Sequence, residues 1–314
     1  MTINKNLINS FARATEMGAY GASLYIGKND KNGADQSAVN EMRKSLNEIV
    51  MKGEIVIGEG EMDEAPMLYI NEKVGKNSGD EFDIAVDPVE GTNFTAKNLP
   101  NAMSVLAVAK KGNLLKAPDM YMEKIAVGPN LPDNLVDLDF SIEKNIQLLS
   151  KASGKDFAQL TACILDRPRH SSIVKSLKSM GVKISFITDG DVSGVISVCS
   201  NKSNIDIYIG IGGAPEGVLA AAALSCLGGQ MQTRLKYQNN NEKIKANNLG
   251  IKDLNKKYNL NEMIKDDVIF SATGVTDCDF VKGIKLHEEY FNSETLVLHK
   301  NSNTNKIIRN KINK

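Results

Sequence analysis

The sequence predicts an α/β protein, with an α+β first half and a doubly wound second half. Three observations predict it. Apolar runs of strand length alternate with segments of helical periodicity through residues 160–235. Two of those helices close on glycines, Gly181 and the pair Gly228-Gly229, as helix C-termini commonly do. The polar clusters RPRH (167–170), DGD (189–191) and GIGGAPEG (210–217) all fall at predicted strand ends, where ligands of doubly wound sheets bind.

The elements follow in order. After Gly33, the positions Val39, Met42, Leu46 and Ile49 recur at helical spacing, with Asp35 at the helix start. Residues 54–57 read as a short strand, broken by the loop Gly58-Glu59-Gly60-Glu61. A further strand ends at Val86, AMSVLAVAK (102–110) is its neighbour, and a hairpin-like region continues through APDMYMEKIAVG (117–128). LTACIL (160–165), VKISFIT (182–188), IDIYIGI (205–211) and QMQTRL (230–235) are strands. The helices between them cover 171–180, 191–199 and 215–227. Such alternation implies a largely parallel, right-handed doubly wound sheet. QNNNEKIKANN (238–248) reads as a polar loop or an exposed helix edge. VIFSATGV (268–275) and ETLVLHK (294–300) read as strands whose place in the fold is left open. The expected division is a first part over 1–158 and a second, α/β part over 159–314.

Bulk properties narrow the function. The 314 residues suffice for a large core and two subdomains. With 38 basic and 38 acidic side chains the net charge is zero, which argues against a nucleic-acid binder. No stretch approaches the roughly 20 apolar residues of a membrane span, and the N-terminus has no long apolar segment of a signal peptide. A cytoplasmic protein is expected. The four cysteines form no C-x-x-C pair and read as buried hydrophobes. Three histidines without a His/Cys cluster make zinc a poor fit.

DPVEGT (87–92) follows the apolar run 82–86. It is either a strand-ending turn or a metal site with a hydroxyl beside it. Asp35, Glu59, Glu61, Asp87 and Glu90 each read singly as solvated turn acids. Together, carboxylates facing one pocket repel each other unless a cation neutralises them. Oxygen donors without histidine favour Mg²⁺ or Mn²⁺. Thr92 could hold a water that the ion makes more acidic, or cap a helix. Arg167 and Arg169, separated by Pro168, offer guanidinium forks to phosphate oxygens or form a solvated surface. Asp189 and Asp191 suit sugar hydroxyls, or a turn and a helix cap. Gly210, Gly212 and Gly213 lead into a helix whose start offers N–H groups to an anion. They do not fit G-x-G-x-x-G, because the last glycine would fall on Pro215. His170 could donate a hydrogen bond behind the arginines or lie at the surface.

DPVEGT resembles the signature of the lithium-sensitive, metal-dependent sugar phosphatase superfamily. With Gly27–Asn32, VIGEGEMDEAPMLY, APDMYMEK, RPRH, DGDV and GIGGAPEGV in that order, the chain is similar to class II fructose-1,6-bisphosphatase, the bacterial type. The resemblance implies a layered αβαβα sandwich and hydrolysis of the 1-phosphate of fructose 1,6-bisphosphate, a step of gluconeogenesis. It implies Mn²⁺ or Mg²⁺ held by Asp35, Glu59, Asp87, Glu90 and Glu216, with Thr92, Lys31 and Glu61 catalytic. Glu90, Gly91, Thr92, Tyr121, Arg167, Pro168, Arg169, Asp189, Gly190, Asp191 and Gly213 would bind substrate. It further implies a homodimer or homotetramer whose partner molecule is a small sugar bisphosphate. Sedoheptulose 1,7-bisphosphate, inositol monophosphate and a nucleotide bisphosphate are the alternative substrates, and a non-catalytic sugar-phosphate-binding regulator is the alternative class.

Overall fold

The computed structural model describes residues 2–60 and 67–314. The chain forms two compact units, one of Met1–Lys116 with Ile264–Lys314, the other of Ala117–Met263. The boundary expected at 158/159 is therefore replaced by an excursion: the chain leaves the first unit at Lys116 and returns at Ile264. The physical reason is strand pairing, since the last four strands hydrogen-bond into the sheet begun by the first four.

In the first unit the strands are β1 (Lys52–Ile57), β2 (Lys73–Val74), β3 (Glu81–Glu90) and β4 (Met103–Lys110). The second unit holds β5 (Tyr121–Val127), β6 (Thr161–Leu165), β7 (Lys183–Ile187), β8 (Ile207–Gly213), β9 (Gln230–Lys236) and β10 (Lys257–Asn259). Back in the first unit come β11 (Val268–Gly274), β12 (Lys285–Leu286), β13 (Tyr290–His299) and β14 (Thr304–Asn313). The helices are α1 (Ile8–Ser23), α2 (Lys31–Asn47), α3 (Thr92–Ala96), α4 (Ile142–Ser153), α5 (Ser171–Ser179), α6 (Asp191–Ile196), α7 (Ala214–Leu227), α8 (Asn240–Asn248) and α9 (Leu260–Met263).

The first sheet runs β12-β13-β11-β4-β3-β1-β2, with β14 along the other edge of β13. Among the described strands of this sheet, β1 and β3 pair in parallel and the other pairs are antiparallel. The strand β11 is buried along its whole length because it lies between β4 and β13. Helices α1 and α2 pack on this sheet through Phe11, Val39, Met42 and Leu46, which meet Ile55, Phe82, Ile84 and Val108.

The second sheet runs β10-β9-β5-β8-β6-β7. β6 pairs in parallel with both β7 and β8. The expectation of a largely parallel sheet holds for the direction of β6, β7, β8 and β9, but not for all pairings. The earlier strand β5 inserts between β8 and β9 and runs antiparallel to both. Period-2 alternation sends Ile125 and Val127 of β5 to one face, where they meet α4 and α5 through Ile146, Leu149 and Leu177. Met122 and Lys124 point to the other face, against Gly217 of α7. One unit thus supplies an α and a β layer, the other an α, a β and an α layer. Helix α7 is buried nearly all round, as its unbroken apolar composition requires. The polar stretch after Gln238 is the helix α8, whose first turn Asn239 caps by accepting from the Glu242 N–H at 3.0 Å. Among the described residues, no helix is long and apolar enough to cross a membrane.

Candidate active site

The strand β3 does not stop at Val86 but runs to Glu90 through a bulge. Asp87 pairs with Val105 and Glu90 with Met103, so β3 carries one extra residue there. In a regular strand, residues three apart face opposite sides. The extra residue restores one side to both, and a carboxylate oxygen of Asp87 comes within 4.8 Å of one of Glu90. Pro88 sits inside the bulge, where its missing N–H breaks no ladder bond. The Val89 N–H donates to Asp87 Oδ1 at 3.1 Å and fixes that side chain. Glu90 is buried and Asp87 half-buried. Gly91 then takes φ +85°, a left-handed backbone that a side chain would strain. That turn starts α3 directly at Thr92. Gly91 occupies the cap position without a side-chain bond, so the Thr92 hydroxyl does not serve as the helix cap.

The second carboxylate pair lies in the same unit. Helix α2 begins at Lys31, four residues earlier than the sequence suggested, because Asp30 caps it by accepting from the Gly33 N–H at 2.8 Å. Asp35 therefore lies in the second turn, half-buried, and not at the helix start. Glu59 follows β1, and its N–H donates to the Leu68 carbonyl at 3.0 Å. The two side chains hydrogen-bond to each other, and burial pushes the Asp35 carboxyl above its ordinary value. Two carboxyls in contact require a proton or a cation between them. Among the described residues, the candidate donors of this unit are Asp35, Glu59, Asp87 and Glu90, and carboxylates of this kind fit a hard divalent ion. Among the described residues, no group of carboxylates within 4.8 Å of one another joins the Asp35–Glu59 pair to the Asp87–Glu90 pair. Lys31 is exposed at the start of α2. Glu61 lies outside the described residues.

In the other unit, both arginines already serve as strand-end clamps. Arg169 donates from Nε and Nη2 to the Ile211 carbonyl at 3.0 and 2.7 Å, and its guanidinium stacks on Tyr121 at 4.7 Å. Arg167 donates to the carbonyls of Asp166 and Thr188 at 2.9 and 2.8 Å. Pro168 opens the short turn that joins them. His170 is fully buried, which overturns a surface position. Its Nδ1 lies 2.7 Å from the Leu165 carbonyl, and its Nε2 accepts the Ile211 N–H at 2.8 Å. Those partners set a neutral ring with the proton on Nδ1, and burial holds its pKa below the usual histidine value. His170 thereby joins the ends of β6 and β8 behind Arg169.

Asp189 is half-buried, and its Oδ1 accepts the Gly190 N–H at 3.2 Å. Asp191 behaves differently. It is buried, and its two oxygens accept from Lys124 Nζ and the Tyr208 hydroxyl. The sequence expectation of Asp191 as a sugar contact meets a side chain whose oxygens are both engaged inside the unit. The glycines of GIGG also act differently from an anion-binding loop. A Cβ on Gly212 would lie 2.0 Å from Asp191 Oδ2, and one on Gly213 would lie 1.9 Å from Glu216 Oε2. They leave room for two carboxylates, and Glu216, in the first turn of α7, folds back over Gly213. Its Oε2 is buried with no hydrogen-bond donor among the described residues, and burial raises its pKa, opposed first by the charge of Lys124. An orphaned buried carboxylate oxygen fits a cation ligand. Sequence reading missed Lys124 and Tyr208. Their signal was alternation: Lys124 shares a strand face with Met122 and Ala126, where a lysine is out of place.

Comparison with known proteins decides what this arrangement belongs to. Residues 5–312 match the family described as bacterial fructose-1,6-bisphosphatase, glpX-encoded. The chain belongs to that family. A class 2 fructose-1,6-bisphosphatase of Haemophilus influenzae is 44% identical, over 96% of this chain and 94% of the relative. Fructose-1,6-bisphosphatase 1 class 2 of Escherichia coli is 43% identical over the same shares. An inositol monophosphatase structure from Anabaena covers 65% of this chain and 74% of its own, at 10% identity and a TM-score of 0.35. The fructose-1,6-bisphosphatase match spans both compact units, so DPVEGT, RPRH and GIGGAPEG all lie within it. The family makes the chain a phosphoric monoester hydrolase.

Proposed function

We propose that this chain hydrolyses the 1-phosphate of fructose 1,6-bisphosphate, giving fructose 6-phosphate and phosphate. The family match over residues 5–312 carries this reading, and the bulge that pairs Asp87 with Glu90 beside Thr92 supports it. Asp35, Glu59, Asp87, Glu90 and Glu216 are the proposed ligands of Mn²⁺ or Mg²⁺. A bound divalent ion supplies neutralising charge at the phosphate and lowers the pKa of nearby water. Thr92 holds the attacking water in line with the scissile bond, or attacks itself as a transient nucleophile. Gly91 and Thr92 contact the phosphate that leaves. Lys31 brings a mobile ammonium to the same phosphate, and Glu61 is proposed to act beside it as a catalytic carboxylate.

Arg167, Pro168 and Arg169 form the proposed recognition element for the second phosphate, with Tyr121 supporting Arg169 from below its plane. Asp189, Gly190 and Gly213 are proposed to line the sugar. The arginine pair favours a bisphosphate over inositol monophosphate, because a second anion repays desolvating a second guanidinium. A homodimer or homotetramer in the cytoplasm completes the reading.

Phosphate release from fructose 1,6-bisphosphate, inositol 1-phosphate and sedoheptulose 1,7-bisphosphate, each with Mn²⁺, Mg²⁺ or EDTA, tests it. Strong metal-dependent release from the fructose compound is expected. Activity confined to another phosphate would overturn the substrate, and silence on all three would favour a binding protein.

A further inference from the structure

Lys124 lies in the middle of β5 with its side chain fully buried. A buried ammonium persists only with compensating partners. Its ion pair is with Asp191, whose other oxygen accepts from Tyr208. Glu216 stands beside this pair, with Oε2 buried and without a donor. Three glycines make the space: Gly212 for Asp191, Gly213 for Glu216, and Gly217, whose Cβ would come 3.1 Å from Lys124 Cε. One ammonium thus faces two carboxylates, and the one it engages is Asp191. The two acids are equivalent in charge and differ only in what Lys124 and Tyr208 do to them.

We propose that Lys124 is a positioning residue: by neutralising and holding Asp191, it leaves Glu216 as the one carboxylate of this cluster offered to the divalent ion. The proposal rests on the reading of Glu216 as a metal ligand given above. Without the ammonium, Asp191 would compete for the ion and draw it away from the reacting geometry. Binding and turnover would then separate, which a lysine needed only for folding would not cause.

The test uses the full-length protein stripped of metal, with Mn²⁺ followed by titration calorimetry and electron paramagnetic resonance, alongside kcat and KM. Lys124→Met is expected to bind Mn²⁺ at least as tightly as the parent, with a changed resonance spectrum, while kcat falls at least tenfold. Lys124→Met combined with Asp191→Asn removes the competing carboxylate and is expected to restore the parent spectrum and the parent Mn²⁺ affinity. Parent-like kcat and spectrum in Lys124→Met would overturn the proposal. So would joint loss of Mn²⁺ binding and turnover in which the double variant does not repair the binding. If Lys124→Met fails to fold by circular dichroism, Lys124→Gln, which keeps a donor to Asp191 without the charge, is read by the same outcomes. Glu216→Gln in the parent background separates the two levels: unchanged Mn²⁺ binding there would remove Glu216 from the ligand set whatever Lys124 does.

Discussion

The two carboxylate clusters of this molecule are built on opposite plans. In the first unit Asp35 and Glu59 hydrogen-bond to each other; among the described residues, burial raises the Asp35 carboxyl and that bond lowers it. In the second unit Asp191 and Glu216 have Lys124 between them as a resident cation. A cluster with its own ammonium is partly neutralised when the chain folds, with Asp191 engaged and Glu216 left for an ion. Two carboxyls in contact hold a proton between them until a cation takes its place. The difference teaches where dependence on added metal should concentrate: in the first unit, at α2, the loop after β1, and the bulge of β3.

The largest effect that would break this contrast is at Glu90. Glu90→Gln keeps the shape and removes one charge from the buried pair. It should lower kcat by a hundredfold or more, about 3 kcal/mol of transition-state stabilisation, with an unchanged circular dichroism spectrum. Normal turnover would remove the bulge from the ion site.

Stripping the ion comes next. EDTA should abolish phosphate release and lower stability by about 2–3 kcal/mol, the linkage expected when a ligand is present at roughly a hundred times its dissociation constant. Hydrogen exchange should rise at residues 31–36 and around Glu59 more than along β5. Equal changes in both regions would erase the comparison.

Arg169→Ala tests the second unit. It removes a guanidinium held against Ile211 and Tyr121, and should raise KM for the bisphosphate by about ten- to a hundredfold, or ~1.5–3 kcal/mol, the range for charged hydrogen bonds. A monophosphate substrate should respond far less. Equal shifts on both substrates would contradict a role at the second phosphate.

A smaller effect is predicted on stability. Burial raises the Asp35 carboxyl above its ordinary 3.8, so between that value and the raised one the folded state binds more protons than the unfolded state. Stability contributed by this group is therefore highest below pH 3.8 and is lost as pH rises through the raised value. Without metal, Asp35→Asn should stabilise the protein at pH 8 by about 1 kcal/mol while abolishing turnover. That gain should vanish near pH 3. A gain that persists at low pH would assign it to packing instead. Smallest of all is the thiol effect. Burial pushes Cys199 and Cys278 up to about 12, so both stay neutral and unreactive at pH 8. Iodoacetamide should change activity less than twofold.

Much of the second unit is legible in the sequence. The segments LTACIL and PEGVLAAAALSCL announce a strand and a helix by periodicity and by the glycines that stop them, and β6 and α7 fall there. The motif residues of the first unit were also legible, because Asp-Pro-x-Glu-Gly-Thr combines a fixed φ, a permissive glycine and two acids in six residues. Helix α2 started earlier than read, since its signal was Asp30 as a cap rather than the apolar repeat after Gly33. The place of β11 was not legible, because a strand buried on both faces looks like any apolar run until its neighbours are known.

What the sequence determined by itself was local: element types, the chemistry of the acidic and basic clusters, and the family those clusters belong to. Tertiary structure alone decided which groups are spent and which are left over. It set β5 between β8 and β9, returned the last 51 residues, 264 to 314, to the first sheet, buried His170, and engaged Asp191 while leaving an oxygen of Glu216 without a donor. The physical reason is that a charge's role depends on partners far away in the chain. Lys124 is 67 residues from Asp191, and no local pattern of side chains encodes that meeting.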